Sequence, residues 1–412
     1  MYVNKSRIIE RIEKCASFND TPGNGISRFS YGTADTEVKQ WLMDICRSMN
    51  MNISVDAIGN IRARYQGKES GLAPVMIGSH IDSVRNGGKY DGVVGVIGAL
   101  EVISVMDENE YVPERPIEFV VFAEEEGSNC GTTMVGSKVM TGKLDYDDLK
   151  LLKDAEGKSC VDIARSAGLP VGRLESAIIS TEDVDSMVEL HIEQGIVMER
   201  EGKHIGVVQA IAGMVTYRAI VTGQSNHAGG TPMNMRNDPM VAAACLIKEI
   251  ETVAGSRVND TTVATVGKIS AEPGMSNVIA GHVEFTIDIR DIVRSGIETA
   301  EHLIREAAVT ISKEHGVEVV LDKIGSNAPI SLTSRVVSAI TKAASGCTDL
   351  WMPINSGAVH DAAMMAGITD VGMIFIPSAA GKSHCPEEYT DPEDIALGTQ
   401  VLLHTVMNLT GC

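Results

Sequence analysis

The sequence predicts an α/β protein: a mixed, mostly parallel sheet with flanking helices, interrupted by an inserted ferredoxin-like α+β domain. Three observations predict it. Short apolar runs at 75–78 and 117–122 flank a helical stretch at 92–106 rich in Val, Ile and Ala. That is a β–α–β unit, and such units build parallel sheets. Between about Gly213 and Pro329 the pattern becomes strand, helix, strand, strand, helix, strand, the order of a ferredoxin-like module. Finally, 412 residues exceed what one ordinary core organises and suit two domains. The expected division is 1–212 with 329–412 as one domain and 213–328 as the insertion.

The elements follow in order. Residues 4–17 and 36–50 read as amphipathic helices, because Ile8, Ile9 and Ile12, then Trp41, Leu42, Ile45 and Met49, recur at helical spacing. Within the insertion, 216–223, 261–269, 282–289 and 317–321 read as strands, and 238–253 and 296–315 as helices. Pro239 falls in the first helical turn, where its missing N–H costs nothing. The chain then returns through a helix at 336–344, a strand at 371–376 and a final helix at 392–409. There is no internal repeat.

Composition bounds the function. Hydrophobic residues make up 44% and charged ones 22%, a globular balance, while only 4% are aromatic, so aliphatic side chains must fill the core. Forty glycines fit many tight turns. A formal net charge of −20 repels phosphate backbones and argues against a nucleic-acid partner. Eight scattered cysteines (Cys15, Cys46, Cys130, Cys160, Cys245, Cys347, Cys385 and Cys412) form no C-x-x-C pair and read as reduced thiols of a cytoplasmic protein. The first 15 residues lack the apolar core of a signal peptide, and no run of 18 apolar residues could span a membrane.

Chemistry gathers at the ends of the predicted strands, where open α/β sheets carry their sites. His80 ends the run 75–78 within GSHIDS, and Asp82 is placed to bond its second ring nitrogen and orient it. Asp91 follows in NGGKYDG, where a carboxylate can bridge two cations; taken alone, His80 could be a core histidine and Asp91 a helix cap. Glu124, Glu125 and Glu126 come directly after the apolar strand 117–122, a costly position unless positive charge waits there. Adjacent acids suit two tasks: Glu126 to hold a metal and Glu125 to take a proton from the attacking water. His191 lies in LHIEQG with Gln194 as an amide for substrate, and His384 lies in GKSHCP after the strand 371–376. His80, Asp91, Glu126, His191 and His384 together suit a pair of borderline divalent ions (zinc, manganese, cobalt or nickel) better than calcium. Arg290, ending a strand between Asp288 and Asp291, is a natural fork for a substrate carboxylate, or else a surface ion pair. His227 occupies a turn-rich loop unsuited to core packing, and His360 a helix start.

The runs GSHIDSVRNGGKYDGVVGV, EEEGSNCGTTMVGS, LHIEQG, HAGGTPMNMRNDP, SNVIAG, DIR, SGAVHDA and GKSHCPEEYT resemble the hydantoinase/carbamoylase-type amidohydrolases, from residue 78 to 390. That family includes N-carbamoyl-L-amino acid hydrolases, β-ureidopropionases and allantoate amidohydrolases, relatives of the di-zinc aminopeptidase and aminoacylase fold. The short spacing from His80 to Asp91, and a histidine at 191 where related peptidases carry a carboxylate, resemble the ureido-cleaving branch. The resemblance implies two divalent ions on His80, Asp91, Glu126, His191 and His384, with Asp91 bridging and Glu125 as general base; Asp82 and His227 join Glu125 as candidate catalytic residues. It assigns substrate to Gln194, His227, Asn277, Arg290, Gly357 and His360, with His227 polarising the scissile carbonyl. It implies a small ureido carboxylate as partner and a homodimer through the inserted domain, which would act as a lid. The activity implied is hydrolysis of a non-peptide C–N bond, first of an N-carbamoyl-L-amino acid and otherwise of allantoate or N-carbamoyl-β-alanine. A dipeptidase or N-acyl amino acid hydrolase is the nearest rival on the same scaffold, and a binding protein that lost catalysis is the rival of another class. Gly230 and Val359 depart from the family pattern, with Gly230 expected to loosen the loop of His227; Lys382, Cys385 and Glu387 also differ.

Overall fold

The computed structural model describes residues 1–411; Cys412 lies outside the described residues. The chain divides into two compact units. Ala210–Ser331 with Asn355–Val359 form one, and the remaining described residues form the other. The expected limits differ by three residues at each crossing, and 355–359, which holds Gly357, goes with the inserted unit rather than with the returning chain.

In the larger unit the strands Asn52–Val55, Ile61–Tyr65, Ile117–Phe122, Val75–His80, Ser186–Ile192, Asp370–Ile376 and Ile205–Ile211 lie side by side in that order. The four from Ile117–Phe122 to Asp370–Ile376 run parallel, and the pairs outside them are antiparallel. Those four are buried almost throughout, which is why they stand out as unbroken apolar runs. Asn52–Val55 and Ile61–Tyr65 escaped sequence reading; arginines interrupt the pattern of the second. Arg62 and Arg64 pair with the buried Glu118 of the neighbouring strand, at 2.5 and 2.9 Å.

The helix Val93–Glu108 packs on Val75–His80 and Ser186–Ile192 and is buried at every position from Val93 to Met106. A helix apolar on all sides belongs inside. Its one acid there, Glu101, is fully buried and is neutralised by Arg7 and Arg11 of the helix Lys5–Ala16, at 2.6 and 3.4 Å. A buried carboxylate left without those partners would be strongly destabilising.

The inserted unit is an antiparallel sheet in the order Ile269–Glu272, His282–Asp291, Gly213–Thr222, Glu318–Asn327, with Val263–Thr265 also on His282–Asp291. Alternate residues of its two long central strands (Val215, Tyr217, Ala219 and Val221; Val283, Phe285, Ile287 and Ile289) point inward. They meet the apolar faces of the helices Pro239–Ser256 and Arg294–His315. The chain order of the main sheet and its helices is strand, helix, two short strand segments, the long strand both pair with, helix, strand.

The expectation of uniformly reduced cysteines is corrected. Cys130 and Cys160, 30 residues apart, are joined by a disulfide. The fold brings the loop after Glu126 against the start of the helix Cys160–Ser166, a juxtaposition that sequence spacing does not reveal. Cys15, Cys46, Cys245, Cys347 and Cys385 are free. Among the described residues no helix is long and apolar enough to cross a membrane.

Candidate metal centre

The four parallel strands deliver the candidate ligands at their carboxyl ends. His80 closes Val75–His80, the acids Glu124 to Glu126 follow Ile117–Phe122, His191 sits near the end of Ser186–Ile192, and His384 lies in the loop after Asp370–Ile376. Asp91 arrives from the loop before the helix Val93–Glu108. Its neighbour Gly92 has φ +66°, and a Cβ there would stand 2.5 Å from the His80 ring, so only glycine admits the imidazole. Glu124, Gln194 and His384 also have positive φ, at 53°, 56° and 58°. Left-handed backbone at residues bearing a Cβ costs of order 1–3 kcal/mol and persists where surroundings over-determine it.

Asp91 is the hub. Its Oδ1 faces His80 Nε2 at 3.4 Å and His191 Nε2 at 3.3 Å. Its Oδ2 faces His384 Nε2 at 3.4 Å, and His384 Nε2 lies 3.5 Å from Glu126 Oε2. Two donor sets result, His80–Asp91–His191 and Asp91–Glu126–His384, each with its ligand atoms within 4.8 Å of one another.

The donor chemistry fits divalent cations. His80 Nδ1 lies 3.1 Å from the Asp82 carbonyl and His191 Nδ1 2.9 Å from the Ile192 carbonyl. Each ring N–H is committed there, so each Nε2 turns a lone pair toward Asp91. Lone pairs and a carboxylate oxygen repel unless a cation lies between them. Three imidazoles and two carboxylates are the ligands zinc, manganese, cobalt or nickel take. Without a cation there, protons on the imidazoles take its place opposite the carboxylates. The hydrogen bond to Asp91 holds the His384 imidazole up to about 9. Burial and then Asp91 push Glu126 up to about 7. Burial opposes ionisation of Asp91, yet the three imidazoles, His191 foremost, hold its carboxyl well below the usual range.

Glu125 is buried, with Oε2 3.8 Å from His80 Nε2, and burial drives its carboxyl well above the usual range. Asp82 differs from its sequence-based role. Its carboxylate stands 3.9 Å from His80 Nδ1, and its main-chain carbonyl makes the closer contact. The carboxylate instead accepts the backbone N–H groups of Glu125 and Glu126, at 3.2 and 3.0 Å, and so sets the two acids in place. Gln194 donates from Nε2 to Asp91 Oδ2 at 2.6 Å, leaving its buried Oε1 without a partner. His360 packs edge-on against His191, with ring centres 4.6 Å apart. Sequence reading passed over Glu189, whose buried carboxylate accepts Ser79 Oγ and the Ala362 N–H, and over Ser383 and Glu388 beside Asp91. A buried acid within an apolar strand was the available signal for Glu189.

The remaining candidates lie in the inserted unit. His227 is exposed, on a short strand Asn226–His227 paired with Val278–Ile279. Its Nδ1 accepts the N–H groups of Gly229 and Gly230, at 3.1 and 2.9 Å, so the ring proton sits on Nε2. The N–H from position 230 is a main-chain group, so this bond does not depend on glycine. The Asn277 carbonyl accepts the Ala228 N–H at 3.0 Å. Arg290 donates to Asp288 at 2.8 Å and to the Gly357 carbonyl at 2.9 Å, while Asp291 is taken up by Thr261, Thr262 and Asn259.

Comparison with known proteins places this architecture. Peptidase family M20/M25/M40 matches residues 76–408. An N-carbamoyl-L-amino-acid amidohydrolase of Paenarthrobacter aurescens is 38% identical over 98% of this chain and 97% of its own. A ureidoglycolate hydrolase of Oryza sativa subsp. japonica is 37% identical over 99% and 85%, and an allantoate amidohydrolase of Bacillus subtilis is 33% identical over 98% of each. Among solved structures, a hydantoinase/carbamoylase family amidase from Burkholderia multivorans superposes with a TM-score of 0.92 at 31% identity, covering 99% of this chain and 98% of that one. The chain belongs to peptidase family M20/M25/M40, within its hydantoinase/carbamoylase amidases.

Proposed function

We propose that the chain is a metal-dependent amidohydrolase that cleaves the ureido C–N bond of an N-carbamoyl-L-amino acid, using two divalent ions. One observation carries the two-metal reading: Asp91 turns one carboxylate oxygen to His80 and His191 and the other to His384. Bound cations would polarise the scissile carbonyl and acidify the attacking water. Glu125, in a dry pocket that favours its protonated form, takes the proton from that water and returns it to the leaving nitrogen. Asp82 holds Glu125 for that transfer through the main chain. His227, with its proton on Nε2, is a donor for the oxyanion that develops on the carbonyl. Arg290, Asn277, Gln194, Gly357 and His360 complete the proposed substrate set, with Arg290 the fork for the carboxylate. The products are the amino acid, ammonia and carbon dioxide. A cytoplasmic homodimer with the inserted unit as lid and interface belongs to this reading on the resemblance alone.

Ureidoglycolate and allantoate are the second reading, favoured by relatives of those names at 37% and 33% identity. The deciding experiment strips metal with a chelator, reloads Mn²⁺, Zn²⁺, Co²⁺ or Ni²⁺, and follows a substrate panel by mass spectrometry. Metal-dependent turnover of N-carbamoyl-L-amino acids is expected. Turnover of only allantoate or ureidoglycolate moves the substrate, and turnover of only dipeptides or N-acyl amino acids overturns the reading.

A further inference from the structure

Glu388 lies four residues past His384, is buried, and spends every polar contact on the neighbourhood of the metal centre. Its Oε1 accepts the N–H of Tyr90 at 2.9 Å and the N–H of Asp91 itself at 3.1 Å. Its Oε2 meets the Ser383 hydroxyl at 3.0 Å, and the same hydroxyl lies 2.8 Å from Asp91 Oδ2. Asp91 and Glu388 are 297 residues apart in sequence. The backbone makes room for this contact: a Cβ at Gly88 would stand 2.0 Å from Glu388 Oε1 and 2.4 Å from its Cβ.

We infer that Glu388, acting with Ser383, is a positioning residue that ties the segment carrying the bridging Asp91 to the loop carrying His384, and so sets the spacing of the two donor sets. The inference rests on the two-metal reading. Asp91 has no regular element to hold it, since it precedes the helix Val93–Glu108 on a loop opened by glycines. His384 sits in left-handed backbone on a second loop. Neither ligand lies within a helix or strand of its own. The carboxylate of Glu388 fixes the Asp91 main chain from one side, and Ser383, next to His384, fixes the Asp91 side chain from the other.

A hydroxyl has one proton, so Ser383 serves Asp91 Oδ2 or Glu388 Oε2 but not both at once. Replacing Oε2 by an amide NH₂ resolves this. In Glu388→Gln the NH₂ donates to Ser383 Oγ, Ser383 donates to Asp91, and the amide oxygen keeps the two main-chain N–H groups. Clamping by shape therefore predicts that glutamine preserves what alanine destroys.

The test uses the full chain loaded with Zn²⁺ and follows release to a colorimetric chelator, with total metal measured by mass spectrometry. Wild type is expected to hold two ions. Glu388→Ala is expected to release metal about 10–100-fold faster, the usual cost of losing a partner that orients a ligand. Ser383→Ala, which leaves every main-chain contact intact, is expected to do so about 10-fold faster and serves if Glu388→Ala does not fold. Glu388→Gln is expected within about twofold of wild type, since its hydrogen bonds are all replaced. Wild-type release rates in Glu388→Ala, or release from Glu388→Gln as fast as from Glu388→Ala, would overturn the clamp while leaving the two-metal reading intact. Wild-type protein holding fewer than two ions would overturn that reading and the clamp with it.

Discussion

His191 in the larger unit and His227 in the inserted unit are wired in opposite senses. The Nδ1 of His191 meets a carbonyl, so its proton is spent there and Nε2 presents a lone pair. The Nδ1 of His227 meets two backbone N–H groups, so its proton moves to Nε2 and the ring presents a donor. His191 is 1% exposed and His227 is exposed. The same side chain is set to present a lone pair in one place and an N–H donor in the other, and the main chain makes the choice. A buried imidazole must have both nitrogens matched, whereas a surface one can leave its working nitrogen to solvent until substrate arrives.

The largest expected effect is at Glu125, the proposed proton carrier. Glu125→Gln should retain both metals and lower kcat by about 10²–10⁴-fold, the range general base catalysis supplies. Metal analysis alongside turnover checks it; near wild-type kcat with metals bound would remove Glu125 from the mechanism. Next, His227→Ala should keep metal content and lower kcat by about 10²–10³-fold, the cost of one oxyanion donor, whereas His191→Ala should lose metal first. Matching metal loss in the two variants would erase the distinction drawn from their tautomers. The smallest effect concerns stability alone. Cys160→Ser should lower oxidised unfolding stability by about 2–4 kcal/mol and change nothing once dithiothreitol is present. Paired urea titrations measure it, and an equal loss under reducing conditions would show that packing of the thiol, not the cross-link, stabilises that region.

Much of the site was legible because burial of polar residues is expensive and leaves a trace. Three acids directly after an apolar strand and histidines at the ends of apolar runs are anomalies in a one-dimensional pattern. The parallel strands were legible for the related reason that burial on both faces removes polar residues from them. The strand whose Arg62 and Arg64 pair with Glu118 of its neighbour was not. Glu388 gave no signal either, since its surroundings in sequence are a polar loop. Asp82 drew notice for its closeness to His80, but its carboxylate turned to the N–H groups of Glu125 and Glu126.

By itself, then, the sequence determined the class of fold, the residue types at the strand ends and the kind of ion they suit, because hydrophobic periodicity and the cost of buried charge act locally along the chain. Only the tertiary structure decided which oxygen of Asp91 faces which histidine, which ring nitrogen carries each proton, that Asp82 holds a backbone rather than an imidazole, and that Cys130 meets Cys160. Those outcomes depend on the directions of main-chain N–H and C=O groups in loops with left-handed turns, and on contacts between segments far apart in the chain. Residue type does not encode a direction; the packed backbone does.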